Sequence, residues 1–168
     1  MQLLVTAYAG LEPVESPSLD AQGESAEPDT VILRLSPRFP ERAPEIESGR
    51  VYRYQDEFEF SAGSHLTHAI FIEQLARLAG YPAVSIGLSN RAFHNGAIAA
   101  KAGPFYELID FSLAFGTIGT SVCGKLAKDF ERFMYFVDAD EDVVMAETYR
   151  TWLFAFTLAS NRGAVQLS

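Results

Sequence analysis

The chain has a single cysteine, Cys123, among its 168 residues. An internal disulfide is therefore excluded. Cys123 falls within a predicted helix, where a lone cysteine serves as a small buried hydrophobe rather than a reactive thiol. No apolar run approaches the ~18 residues of a membrane-spanning helix, and no Lys/Arg-led signal segment opens the sequence. These absences give the expectation of a soluble, cytoplasmic protein with no membrane partner. Positive charge is scarce as well: 13 Lys and Arg stand against 22 Asp and Glu, a formal net charge of −9. Nucleic-acid backbones are bound mainly by Lys and Arg that neutralise phosphates, so this balance argues against DNA or RNA. It suits a basic protein partner approached under electrostatic steering.

Signatures of chemistry are missing too. There is no Gly-Lys-Ser/Thr phosphate loop, no Gly-x-Gly-x-x-Gly dinucleotide fingerprint, no His-Glu-x-x-His pair and no cysteine cluster. No internal repeat and no second domain is visible. What is present is a length that fits one domain and is sufficient to bury a core without a disulfide or metal.

The stretch Glu59–Pro82 organises the chain. Val51–Phe60 alternates, with Tyr52, Tyr54, Phe58 and Phe60 on one parity and Arg53, Gln55, Glu57 and Glu59 on the other; Asp56 is the exception. That pattern predicts one half-buried strand. Ser61-Ala62-Gly63-Ser64 then turns into a helix capped by Ser64, striped by Phe71, Leu75, Leu78 and Ala79, and closed by Gly80 and Pro82. Glu73 and Arg77 fall at i,i+4 on its expected solvent side. Before it, Leu3–Tyr8 and Val31–Leu35 read as strands. Residues 12–29 are rich in Pro, Ser, Glu, Asp and Gly and are expected to form a mobile acidic loop.

After it, Asn95-Gly96 signals a turn, Ala97–Ala102 a short helix ending at Gly103, and Phe105–Phe111 a buried strand. Gly116–Ser121 is a second Gly/Ser/Thr turn that opens a helix with Val122, Leu126, Phe130, Phe133 and Val137 on its apolar face. Asp138–Asp142 separates that helix from a last one, near Val143–Ser160, whose face carries Tyr149, Trp152, Phe156 and Ala159. The expectation is a single α+β domain, a small antiparallel or mixed sheet packed against three main helices.

Several blocks resemble a family of uncharacterised bacterial and phage proteins. Its pattern has a Phe-Pro-Gly-Arg link, a turn reading Ala-Gly-Ser-Tyr-Ser-Gly-Tyr-Asn-x-Trp-Arg, a later run Pro-Phe-Tyr-Glu-Leu-Ile-Asp-Phe-Ser-Asp-Cys-Glu-Gly-Thr-Ile-Gly, and Lys-Leu-Ala-Lys-Asp-Phe. The matching residues are Phe39-Pro40-Glu41-Arg42, Ala62-Gly63-Ser64, Pro104–Ser112, Gly116–Gly119 and Lys125–Phe130. The family carries no assigned activity, so the resemblance implies fold rather than function. Its Tyr-Ser-Gly-Tyr-Asn run falls at His65–Ala69, its Trp-Arg pair at Phe71-Ile72 and its Asp-Cys-Glu at Leu113–Phe115. The resemblance implies that any chemistry the family performs at those positions is lost here.

The candidate ligand-binding residues are those of the two turns: Gly63, Ser64, His65, Thr67 and His68, and Gly116, Thr117, Gly119, Thr120 and Ser121. Free N–H groups at a helix start attract phosphate or carboxylate, so a small anionic ligand or nucleotide is one expectation; ordinary N-capping is the plainer one. His65 and His68, three apart on a helix, could face one way with His94 or Asp110 completing three metal ligands, but the spacing is not His-Glu-x-x-His and partly exposed polar histidines are the plainer reading. Glu107 and Asp110 form an acid–base pair only if they converge with a histidine. No catalytic residue, metal or cofactor is assigned. The preferred expectation is a non-enzymatic immunity, inhibitor or anti-defence protein. It acts by contact with a toxin or defence protein, and Asp138, Asp140, Glu141 and Asp142 serve as its partner-binding patch.

Overall fold

In the computed structural model, which describes residues 1–168, β1 (Gln2–Ala9) is the strand on which both layers assemble. Leu3, Val5 and Ala7 lie on one side of it and are buried there, as the two-residue period of a strand requires. β5 (Asp56–Ser64) and β7 (Ala164–Leu167) flank β1, and β6 (Gly116–Gly119) completes the antiparallel order β5-β1-β7-β6. A second antiparallel sheet has β4 (Arg50–Arg53) between β2 (Glu12–Pro13) and β3 (Thr30–Leu33).

Five helices join them: α1 (His65–Leu78), α2 (Phe93–Ala100), α3 (Tyr106–Ile109), α4 (Thr120–Asp138) and α5 (Val143–Ala159). The main core lies between the helices and one face of the four-stranded sheet, where Phe71, Leu75, Leu126, Phe130, Tyr149 and Trp152 meet Val5, Ile118 and Val165. A smaller core at the other face brings Tyr8 and Ala164 against Leu33, Ala43, Ile46 and Tyr52. The protein is therefore an α+β domain with two small antiparallel sheets. α1, α4 and α5 are its main helices, and the predicted apolar stripe of α5 is fully buried at Tyr149, Trp152, Phe156 and Ala159.

The structure corrects five local expectations. Val51–Phe60 is two strands in two sheets, because the chain crosses between layers at Tyr54 and Gln55 before Asp56 pairs with Ala9. Asn95-Gly96 lies inside α2, where Gly96 is needed because a Cβ there would collide with the carbonyl oxygen of Pro82. Phe105–Phe111 holds the short helix α3, entered through Phe105 at φ +59°. Its amide is held by Asp129 Oδ2 at 3.0 Å, which fixes a backbone conformation that costs a bulky residue free energy. Glu73 does not face solvent beside Arg77; its carboxylate accepts from the Phe93 and His94 amides and so caps α2. Finally, Gly116–Gly119 is an edge strand, and the unpredicted Ala164–Leu167 is an inner one. Residues 12–29 are largely exposed, carry β2 and close a small turn in which Asp20 Oδ1 accepts from the Gln22 and Glu24 amides.

Candidate functional site

The two Gly/Ser/Thr turns run straight from strand to helix, but at opposite ends of the sheet. Ser64 ends β5 beside Gln2 at the start of β1. Gly119 ends β6 beside Ala164, whose β1 partner is Tyr8. At ~3.3 Å per strand residue the two helix starts are about 20 Å apart along β1 alone. They do not form one shared site.

The second turn is also occupied by the protein itself. Glu45 Oε1 accepts from the Ser121 amide at 2.8 Å, so a carboxylate of the chain already sits at the start of α4. Partial burial acts to raise the pKa of Glu45. The hydroxyl and amide of Ser121 and the backbone around it outweigh that and hold it below the ordinary value. Gly119 leaves no room for more, since a Cβ there would strike Glu45 and Ala43. Thr117 is fully buried and donates to the Arg34 carbonyl at 2.8 Å, Thr120 donates to the Gly163 carbonyl at 2.6 Å, and a Cβ on Gly116 would meet Ser36.

The first turn opens onto a groove. α1 packs mainly on β5 and α2 rather than on α5, leaving a cleft of about 480 Å³ between α1 and α5. It is lined by Phe60 and Gly63 from β5, Thr67, His68, Ile70 and Phe71 from α1, and Val144, Glu147, Thr148 and Thr151 from α5. It continues past Gln74, Asp142 and Met145 into a second hollow of about 370 Å³ beside Phe136 and Asp140. Ser64 caps α1 by accepting from the Thr67 amide at 3.1 Å, and Gly63, at φ +84°, turns the chain into the helix. His65 is half-buried, with its ring 6.1 Å from that of Phe115.

His68 forms the floor of this groove. It is 1% exposed, and neither ring nitrogen has a hydrogen-bond partner. Its ring lies 5.6 Å from that of Trp152, whose indole nitrogen is likewise buried and unpartnered. Burial and, less strongly, the neighbouring His65 push the His68 pKa down to about 4, so the ring is neutral at neutral pH. Three unpaired polar atoms in one spot are unusual, because each such group costs about 1–3 kcal/mol. The rim is apolar and exposed: Ile70 is 54%, Val144 74% and Phe136 57% accessible.

The remaining candidates are held apart from it. Asp110 accepts from Arg42 Nη2 at 3.2 Å and from the Tyr106 hydroxyl at 3.1 Å, while Glu107 and Asp129 each lie 2.7 Å from Lys125 Nζ. Glu107 and Asp110 are thus committed to ion pairs, and no histidine joins them. His94 Nδ1 is bound to Glu73 at 2.5 Å. Cys123 is buried, and burial raises its thiol pKa far above the ordinary value. Asp138 pairs with Arg150, Asp142 caps α5 through the Met145 amide at 2.9 Å, and Asp140 and Glu141 stand in solvent. Of these four carboxylates, Asp140 and Asp142 line the narrow end of the groove, where Arg77 stands with them. The sequence expectation missed the groove itself. Its signal was present in Ile70 and Val144, large apolar residues that fall off the buried stripes.

Fold and groove together define a single-chain α+β protein with an acid-rimmed cleft between two helices and no helix long and apolar enough to cross a membrane. No protein-family model matches the chain, and neither a curated protein nor a solved structure does.

Proposed function

We propose that the protein is a non-enzymatic binding protein of the immunity or inhibitor type, acting by contact with a basic protein partner seated in the α1–α5 groove. The observation that carries this reading is the rim. Exposed Ile70, Val144 and Phe136 stand beside Asp140, Asp142 and Glu147, and no Lys or Arg lines the wide end. Contiguous exposed apolar side chains edged by charge are characteristic of protein-binding surfaces, and a cleft between two helices suits an amphipathic partner helix. The acids set the sign of the partner. The alternative, a small-anion or nucleotide site at the two turns, has less behind it, since Glu45 fills one turn and the wide cleft beside the other carries Asp142 and Glu147, with the groove's one cation, Arg77, in the adjoining hollow.

The test is co-expression with candidate toxins or defence proteins encoded nearby, read as survival and as a one-to-one complex on gel filtration. Val144→Glu, on the exposed rim, should abolish the complex without lowering stability. Neutralising the patch with Asp138→Asn, Asp140→Asn, Glu141→Gln and Asp142→Asn should slow association about tenfold or more at low salt. Asn at 142 keeps the helix cap, so the fold is preserved. An association rate indifferent to both salt and these changes refutes the reading. So does histidine-dependent turnover of a phosphorylated small molecule by the purified protein.

A further inference from the structure

We infer that the floor of the groove is a socket for one arginine side chain of the docked partner, with His68 as its buried hydrogen-bond acceptor. The inference rests on the groove being the partner surface and names the group that enters it.

Apolar packing alone does not account for the floor. A leucine or methionine at position 68 would fill the space between Phe71 and Trp152 without burying two unpaired ring nitrogens. A neutral imidazole offers one lone pair and one N–H, and a group that enters from the groove as a donor answers the lone pair. The walls then select the charge. Asp142 and Glu147 are the only formally charged residues lining the wide cleft, and both are acids. An anion would meet repulsion at the mouth, and the one cation of the groove, Arg77, stands in the adjoining hollow rather than in this cleft.

Among cations, guanidinium fits best. It is planar and weakly hydrated, it stacks on aromatic faces, and it has five N–H donors to divide between a carboxylate and an imidazole nitrogen. Phe60 and Phe71 line the same cleft and supply the faces. His68 lines the groove while its ring nitrogens are closed off from solvent. A turn about its Cβ–Cγ bond exchanges ring carbons for nitrogens and presents an acceptor without moving α1.

The experiment uses the one tryptophan as reporter. Trp152 is the sole source of an indole N–H signal, and its ring lies against His68. The ¹⁵N-labelled protein is titrated with butylguanidinium, butylammonium, butanol and butyrate, four probes that differ only in head group. Butylguanidinium should shift the indole resonance saturably, with the other three at least about tenfold weaker. His68→Leu should lower that affinity about tenfold while the protein stays folded, and Asp142→Asn with Glu147→Gln should do the same. Absence of a saturable shift overturns the socket, as does equal binding of butanol or butyrate. Equal binding of butylammonium overturns the assignment to arginine. Unchanged affinity in His68→Leu removes His68 from the site. A partner that forms a Val144-dependent complex while butylguanidinium leaves the indole unmoved would sink the socket alone. Saturable butylguanidinium binding together with a co-expression search that yields no protein partner would count against the contact function instead.

Discussion

His68 makes the acid stability of this protein predictable. Its pKa is pulled from 6.5 to about 4 by burial and, secondarily, by His65. In the unfolded chain the same ring titrates near its ordinary value. Between those limits the unfolded state binds more protons than the folded one, so stability falls as pH drops from about 6.5 to about 4 and changes little from this source below that. A gap of about 2.5 pH units at ~1.4 kcal/mol each corresponds to about 3.5 kcal/mol in full, of which about 3 kcal/mol is lost by pH about 4. For a chain of this size that is a loss of roughly 6–12 °C in melting temperature. Glu45 and Glu73, whose pKa values are held low, act in a lower window, since their contribution is lost as pH falls through the carboxylate range. His68→Leu isolates the histidine. At neutral pH the variant should be at least as stable as the wild type, because two unpaired buried nitrogens are gone. By pH about 4 its advantage should have grown by about 3 kcal/mol. Urea melts of both proteins across that range measure the difference directly. Parallel stability curves would mean that His68 is solvated or partnered in the folded state, and the account of the groove floor would be wrong.

Two further outcomes are expected. Trp152→Ala should cost about 3–5 kcal/mol in denaturant melts, since the ring is fully buried against Phe60, Phe71 and Phe156; a loss below about 1 kcal/mol would contradict its place in the core. Arg42→Met should cost about 3 kcal/mol, because it leaves Asp110 without its cation in a partly buried site while Tyr106 and Phe39 lose the guanidinium they stack on; a neutral result would show that Asp110 is solvated.

The helices were legible because their signals are local. Ser64 caps α1, the carboxylates of residues 138–142 separate α4 from α5, and the three-and-four spacing of Leu126, Phe130, Tyr149, Trp152 and Phe156 matches what is buried. The sheets were legible only in part. Ala164–Leu167 has four residues and no flanking hairpin turn, so nothing short-range marks it as an inner strand; its partners are Tyr8 and Ile118, far away in sequence. Val51–Phe60 kept its parity through the crossing at Gln55, which concealed a change of sheet. The caps supplied by Glu45 and Glu73 were hidden for the same reason, since each acts on a helix start remote from it in the sequence. The candidate site divided likewise. The residues of the first turn and the acidic patch could be named from their neighbours, but the groove between them depends on how α1 and α5 are set apart on the sheet.

That inner position of β7 has a kinetic consequence. β1 and β6 do not touch except through β7, so the four-stranded sheet cannot be completed until Ala164–Leu167 has been made. A nascent chain can form the β1–β5 pair and α1 early, yet it must hold an open edge of β1 until Ala164–Leu167 emerges. Closing so long a loop is slow, and an unpaired edge is a place where chains associate wrongly. Once β7 is in place the same arrangement works in reverse. It cannot leave without parting β6 and α4 from β1, so local fraying at this point is coupled to global unfolding. The protein should therefore open rarely and all at once, with hydrogen exchange at Val165 and Leu167 among the slowest in the chain.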